Sequence, residues 1–200
     1  MYCGPVLIPF LHRLKFGQAI REEGPSWHQK KSGTPTMGGI LFIVASCVAA
    51  VLCFRDAQLF SVLLCSFGFG VIGFIDDFIK VILKRNLGLR SWQKLALQIL
   101  VSVIFVVVLY KNGTVKAAWA LPFTDWMLPL GILFVPASVF AMVGFNNAVN
   151  LTDGLDGLAS SVTVVVSLFI AVAAYLKGNI ALCVFSLAVF GGLLGFLLYN

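Results

Sequence analysis

Six long runs of this sequence carry no charged residue: Met37 to Phe54, Ala57 to Ile75, Leu95 to Tyr110, Trp126 to Phe145, Leu158 to Leu176 and Ile180 to Tyr199. Five of them are 18 to 20 residues long and the third has 16. A helix of about 20 residues rises roughly 30 Å, the thickness of the hydrocarbon core of a bilayer. The spacing therefore predicts a polytopic, all-α transmembrane bundle with a lipid bilayer as its solvent. The 200 residues form a single integral membrane domain of about six membrane helices. The third helix should extend back through Trp92. Pro129 and Pro136 should kink or interrupt the fourth. Gly191 and Gly195 form a GxxxG pair in the sixth, read as close helix packing.

Composition removes the competing classes. The chain is 60% hydrophobic and 11% charged, with mean hydropathy +1.00. A soluble domain is nearer half apolar and a quarter charged, so too few charges remain here to cover a water-facing surface. Disorder is excluded by the same numbers. The 18 phenylalanines and the lack of polar alternation disfavour a β-barrel. Of the five cysteines, Cys47, Cys53, Cys65 and Cys183 lie in apolar runs and no CxxC occurs, so they read as small hydrophobes. The start lacks a basic region, and Pro5 and Pro9 interrupt its apolar stretch. It reads as a helix stub from Tyr2 to about Leu14, not as a signal peptide.

The net charge of +6 belongs to topology, and no nucleic-acid partner is expected. Ten of the fourteen cations flank the first run or lie between the second and third: Arg13, Lys15, Arg21, Lys30, Lys31, Lys80, Lys84, Arg85, Arg90 and Lys94. The positive-inside rule makes these loops cytoplasmic, and strict alternation adds Gly144 to Gly157. Three polar segments then gather on one face: HQKKSGTPTMGG (His28 to Gly39), GFIDDFIK (Gly73 to Lys80) and NNAVNLTDGLDGLA (Asn146 to Ala159).

Each segment has a bland explanation and a chemical one. Asp76 and Asp77 are expected at the carboxyl end of a membrane helix, where the dipole disfavours carboxylates. Either they form a salt bridge with Lys80, or they await a cation. Asn146, Asn150 and Asp153 would follow at i+4 and i+3 on a helix, with Asp156 three further on. A segment partly unwound at Gly154 and Gly157 is the equal alternative, and one aspartate could simply cap the next helix. Lys30 and Lys31 either set topology or hold phosphate, with Thr34, Thr36 and Gly38 at a helix start. Carboxylates without a Cys or His cluster choose a hard cation such as Mg²⁺, completed by water and substrate phosphates. Zinc ligation and a serine or cysteine triad find no residues here.

KKSGTPTMGG, GFIDDFIK and NAVNLTDGLDGLA closely resemble the phospho-N-acetylmuramoyl-pentapeptide-transferases, within the polyprenyl-phosphate N-acetylhexosamine-1-phosphate transferase superfamily. REEGPSWHQKKSGTPTMGG extends the match, which runs from about Leu14 to Asn200. The resemblance implies a bacterial inner-membrane enzyme with its active face in the cytoplasm. It implies transfer of phospho-MurNAc-pentapeptide from UDP-MurNAc-pentapeptide to undecaprenyl phosphate, giving lipid I and UMP, with Mg²⁺ required. By motif position, Asp76 would be the base or nucleophile, and Asp77 would position lipid phosphate or metal. Lys31, Thr36, Lys80, Lys94, Asn150, Asp153 and Asp156 would surround nucleotide and phosphates, and Asp153 with Asp77 would hold the metal. A homodimer stays open. The family's ten helices, its later acidic motif and its histidine-rich loop exceed what these residues supply. The chain is therefore expected to be a fragment that does not make lipid I alone. A sister enzyme using UDP-GlcNAc is the alternative, and a transporter the remote one.

Overall fold

A computed structural model describes residues 39–83, 88–121, 124, 126–153 and 157–197. The helices among them are α1 (Gly39–Cys53), α2 (Ala57–Ile82), α3 (Ser91–Lys111), α4 (Phe134–Thr152), α5 (Leu158–Leu176) and α6 (Ile180–Leu197). A two-stranded hairpin, β1 (Ala118–Ala120) and β2 (Met127–Pro129), and a 3₁₀ turn at Gly131–Leu133 separate α3 from α4. Five helical spans are long and apolar enough to cross a membrane, and Phe42–Cys53 is a shorter apolar helix. The polytopic helix bundle expected from the apolar runs is what forms. The stub and the segment before Gly39 lie outside the described residues.

Packing follows where large side chains find each other and where small ones let backbones approach. At one end of the bundle, Ala50 of α1, Leu59 and Leu63 of α2 and Ala181 of α6 form a buried cluster. A second cluster joins Val106 of α3 to Phe134, Val139 and Val143 of α4. Between α2 and α3, a side-chain carbon at Gly68 would stand 3.0 Å from Val101. Helix α6 packs on α5, α1 and α2, and α3 lies between α2 and α4.

Three boundaries differ from the sequence expectation. Helix α2 does not end at Ile75 but runs to Ile82, carrying Asp76, Asp77 and Lys80 inside it. The carbonyls there are used by the helix itself, so the dipole argument for a waiting cation loses its footing. Trp126 to Pro129 is not helical. Met127 pairs with Ala120 and Pro129 with Ala118, and Trp119 Nε1–H donates to Ser138 Oγ at 3.3 Å. Neither proline kinks α4: Pro129 ends a strand, and Pro136 occupies the first turn, where its missing N–H is no loss. At the other end, α4 outruns the apolar run and stops at Thr152. Gly157, at φ 74°, opens α5 in a left-handed conformation suited to glycine, so the chain between these helices is unwound at that point.

Among the described residues, the glycine of α6 in close contact with a neighbour is Gly192, not the GxxxG pair. A side-chain carbon at Gly192 would strike Ser46 Oγ and lie 3.2 Å from the Phe42 carbonyl oxygen, whereas at Gly191 or Gly195 it would meet no described atom within 4 Å. Ser46 Oγ–H donates to the Ala188 carbonyl at 3.0 Å, and Phe42 and Phe196 rings lie 5.7 Å apart across the same seam. Gly192→Ala is expected to cost about 1–3 kcal/mol by overpacking, whereas Gly191→Ala and Gly195→Ala should be neutral or better. Thermal midpoints of the three variants in detergent check this; equal midpoints would show that α1 can shift aside.

Candidate functional site

The bundle's polar end is built by the carboxyl ends of α2 and α4 and the amino end of α3, and a cleft of about 480 Å³ opens there. It is lined by Asp76, Lys80, Gly88, Leu89, Ser91, Lys94, Leu95, Asn147 and Asn150. Lys80 follows Asp76 at i+4 and Asp77 at i+3, so one helical turn brings its ammonium to both carboxylates. Lys80 Nζ is 2.7 Å from Asp76 Oδ2 and 3.0 Å from Asp77 Oδ1. The salt bridge that stood as the bland explanation of GFIDDFIK is therefore present.

The two aspartates are not equivalent. The Asp76 side chain is 13% exposed and the Asp77 side chain 41%. Asp76 Oδ1 accepts the Leu89 N–H at 2.8 Å, so both of its oxygens are engaged. Asp77 has contact with Lys80 through Oδ1, and Oδ2 has no partner among the described residues. The loop returning to α3 presses so closely on Asp76 that a side-chain carbon at Gly88 would overlap its carboxyl group. Helix α3 then begins with the Gln93 side chain accepting the Arg90 N–H at 3.0 Å. Across the cleft, Lys94 Nζ donates to Asn150 Oδ1 at 3.1 Å. The ion pairs found here among the described residues belong to Lys80, so Lys94 contributes a cation held by a neutral amide. That ammonium, in the first turn of α3, suits a phosphate.

Of the residues expected to form a site, Asp76, Lys80, Lys94 and Asn150 converge on this cleft. Asp77 stands beside it through Lys80 without lining it, and Asp153 is an exposed residue just past the end of α4. Lys31, Thr36 and Asp156 lie outside the described residues. The amide stripe is shifted by one: Asn147 with Asn150 faces the cleft, and Asn146 does not line it. No group of three or more His, Cys, Asp or Glu side chains converges among the described residues. The available donors are nonetheless carboxylate oxygens, with Asp77 Oδ2 open and Asp153 exposed. Carboxylate oxygens are the donor type of a hard cation, which takes one or two of them and completes its shell elsewhere.

Comparison with known proteins places this geometry. The model of glycosyl transferase family 4 matches residues 59–200, the stretch that builds the whole cleft. The chain belongs to glycosyl transferase family 4. A phospho-N-acetylmuramoyl-pentapeptide-transferase signature also matches residues 31–43. The chain is 47% identical over 201 residues to the phospho-N-acetylmuramoyl-pentapeptide-transferase of Anoxybacillus flavithermus, covering 98% of this chain and 62% of that protein. It is 46% identical over 199 residues to the enzyme of that name from Clostridioides difficile, with 98% and 62% covered. For the one from Clostridium novyi it is 48% over 200 residues, with 98% and 61% covered. The chain thus spans about six-tenths of the length of these relatives.

Within this family 4 chain, sequence reasoning did not single out Gly88, Leu89, Ser91, Leu95 or Asn147, which line the cleft, or Gln98 behind them. Gly88 and Leu89 carry no chemical signal, because one acts by lacking a side chain and the other by its main-chain N–H. Ser91 and Asn147 were visible as polar residues beside apolar runs. Gln98, behind Asn147, is an uncharged amide inside an apolar run, and a polar residue at membrane depth was its available signal.

Proposed function

We propose that the protein transfers phospho-MurNAc-pentapeptide from UDP-MurNAc-pentapeptide to undecaprenyl phosphate at the cytoplasmic face of the bacterial inner membrane. An acceptor phosphate oxygen attacks the sugar-linked phosphorus of the donor. The pyrophosphate bond breaks, UMP leaves, and lipid I remains in the bilayer. The observation that carries this reading is a polar cleft between ends of membrane helices, into which Lys80 and Lys94 bring two cations, with Lys94 in no ion pair among the described residues. The name of the relatives supports it.

The residues present suit a reaction limited by charge. A phosphate monoester has its second pKa near about 6, so the acceptor is largely dianionic at neutral pH. Bringing it to a pyrophosphate requires neutralisation and alignment more than proton removal. Lys94 holds a phosphate from the α3 side, and Lys80 keeps the paired carboxylates from repelling it. Asp76, with both oxygens engaged, would have to release Leu89 or Lys80 before acting as base or nucleophile. Asp77 stands beside the cleft, and its Oδ2 has no partner among the described residues. Asp77 and Asp153 would hold Mg²⁺, which supplies further charge neutralisation when bound.

The test supplies the full-length protein, in membranes depleted of the host activity, with radiolabelled UDP-MurNAc-pentapeptide, undecaprenyl phosphate and Mg²⁺. Lipid I is expected, and chelation should abolish it. A preference for UDP-GlcNAc would assign the chain to the sister activity, and no lipid-linked product with either donor would overturn the reading.

A further inference from the structure

Two polar rungs join α3 to α4. The outer rung is Lys94 to Asn150, at the cleft. The inner rung lies one turn deeper, where Asn147 Nδ2–H donates to Gln98 Oε1 at 2.8 Å. Lys94 and Gln98 are four apart on α3, and Asn147 and Asn150 three apart on α4, so both rungs lie on one seam. Gln98 is 1% exposed, on a buried face that continues through Ser102 and Val106.

The donors and acceptors fix how this pair is oriented. Asn147 Nδ2–H also donates to the Val143 carbonyl at 2.9 Å. A carbonyl only accepts, so the Asn147 atom facing it must be nitrogen. Gln98 must then turn its oxygen toward Asn147. Its Nε2 is left buried with no acceptor among the described residues. Two leucines would fill similar space without that cost. Apolar side chains, however, let facing membrane helices slide and rotate, whereas a directional hydrogen bond does not.

We propose that the Gln98–Asn147 pair sets the register of α3 against α4 and so holds Lys94 and Asn150 at their working distance. Both are positioning residues. The structural claim stands on the rungs alone; its catalytic meaning rests on the proposed nucleotide and phosphate site.

The test uses the full-length protein in nanodiscs, with native cysteines replaced and spin labels at the exposed positions Trp92 and Leu151. Gln98→Leu and Asn147→Leu are each expected to broaden the label-to-label distance distribution measured by pulsed EPR. They should also weaken binding of UDP about tenfold by calorimetry. The exchange variant Gln98→Asn with Asn147→Gln keeps an amide pair and the same number of methylenes, and should restore both. Leucine variants with the parent's distribution would overturn the proposal, as would an exchange variant as broad as they are. If the leucine variants do not fold, the exchange variant decides: a parent-like distribution supports the pair, and a broadened or misfolded one rejects it. A parent that does not bind UDP would remove the nucleotide site while the distances still judge the pair.

Discussion

Asp77→Asn is expected to lower formation of the lipid-linked product by about a hundredfold or more, with the helix bundle intact. The amide keeps the size of the side chain and an oxygen for Lys80. It removes the charge on Oδ2, which has no partner among the described residues. Asp76→Asn is expected to fall as far, for another reason. Its single oxygen can still accept the Leu89 N–H, but its new N–H₂ then faces the Lys80 ammonium, donor against donor. Hydrogen exchange separates the two roles. The Leu89 amide should exchange faster in Asp76→Ala and at the parent's rate in Asp77→Asn. If both asparagine variants turn over like the parent, the ion pair with Lys80 is all that these acids provide.

Gly88→Ala should be nearly as damaging although it removes no chemistry. The added carbon would stand 2.5 Å from the Asp76 main-chain oxygen and 2.8 Å from its carboxyl carbon, besides overlapping a carboxylate oxygen. A helix carbonyl cannot swing aside, so the loop must lift. The Leu89 N–H then leaves Asp76, and the amino end of α3 moves away from Lys80. A loss of turnover of about tenfold to a hundredfold is expected, with helix content unchanged by circular dichroism. Gly73→Ala, where a new carbon meets nothing within 4 Å, is the control and should retain activity. Full activity in Gly88→Ala would show that the loop works equally well when displaced.

The helices were legible because each is a charge-free run of membrane length, a signal that needs no tertiary partner. Their ends were less so. Asp76 and Asp77 were expected at the carboxyl end of α2, with Lys80 one turn on; the contacts are there, but the helix runs further, to Ile82. Trp126 to Pro129 carries no charge and lies inside an apolar run, yet Met127–Pro129 is a strand. It became a strand because Ala118–Ala120 lies in register to pair with it, a contact that a one-dimensional pattern does not contain. Gly192 and the GxxxG pair differ by one position, and the neighbour, not the motif, decided which of them matters. In the site, charged residues announced themselves: Asp76, Lys80, Lys94 and Asn150 were singled out and do converge. The Leu89 N–H and Gly88 did not, because main-chain donors and missing side chains have no composition.

The seam between α1 and α6 also sets a timetable. Ser46 and its acceptor Ala188 are separated by 142 residues. At a synthesis rate of about 5–20 residues per second, α1 enters the bilayer roughly 7 to 30 seconds before its partner exists. Through that interval the Ser46 hydroxyl and the Phe42 ring face lipid or whatever escorts the nascent chain. The first described helix is thus among the last to be locked in place. Any substitution that makes α1 cling to an earlier neighbour would act as an error of assembly order, invisible in the finished contacts.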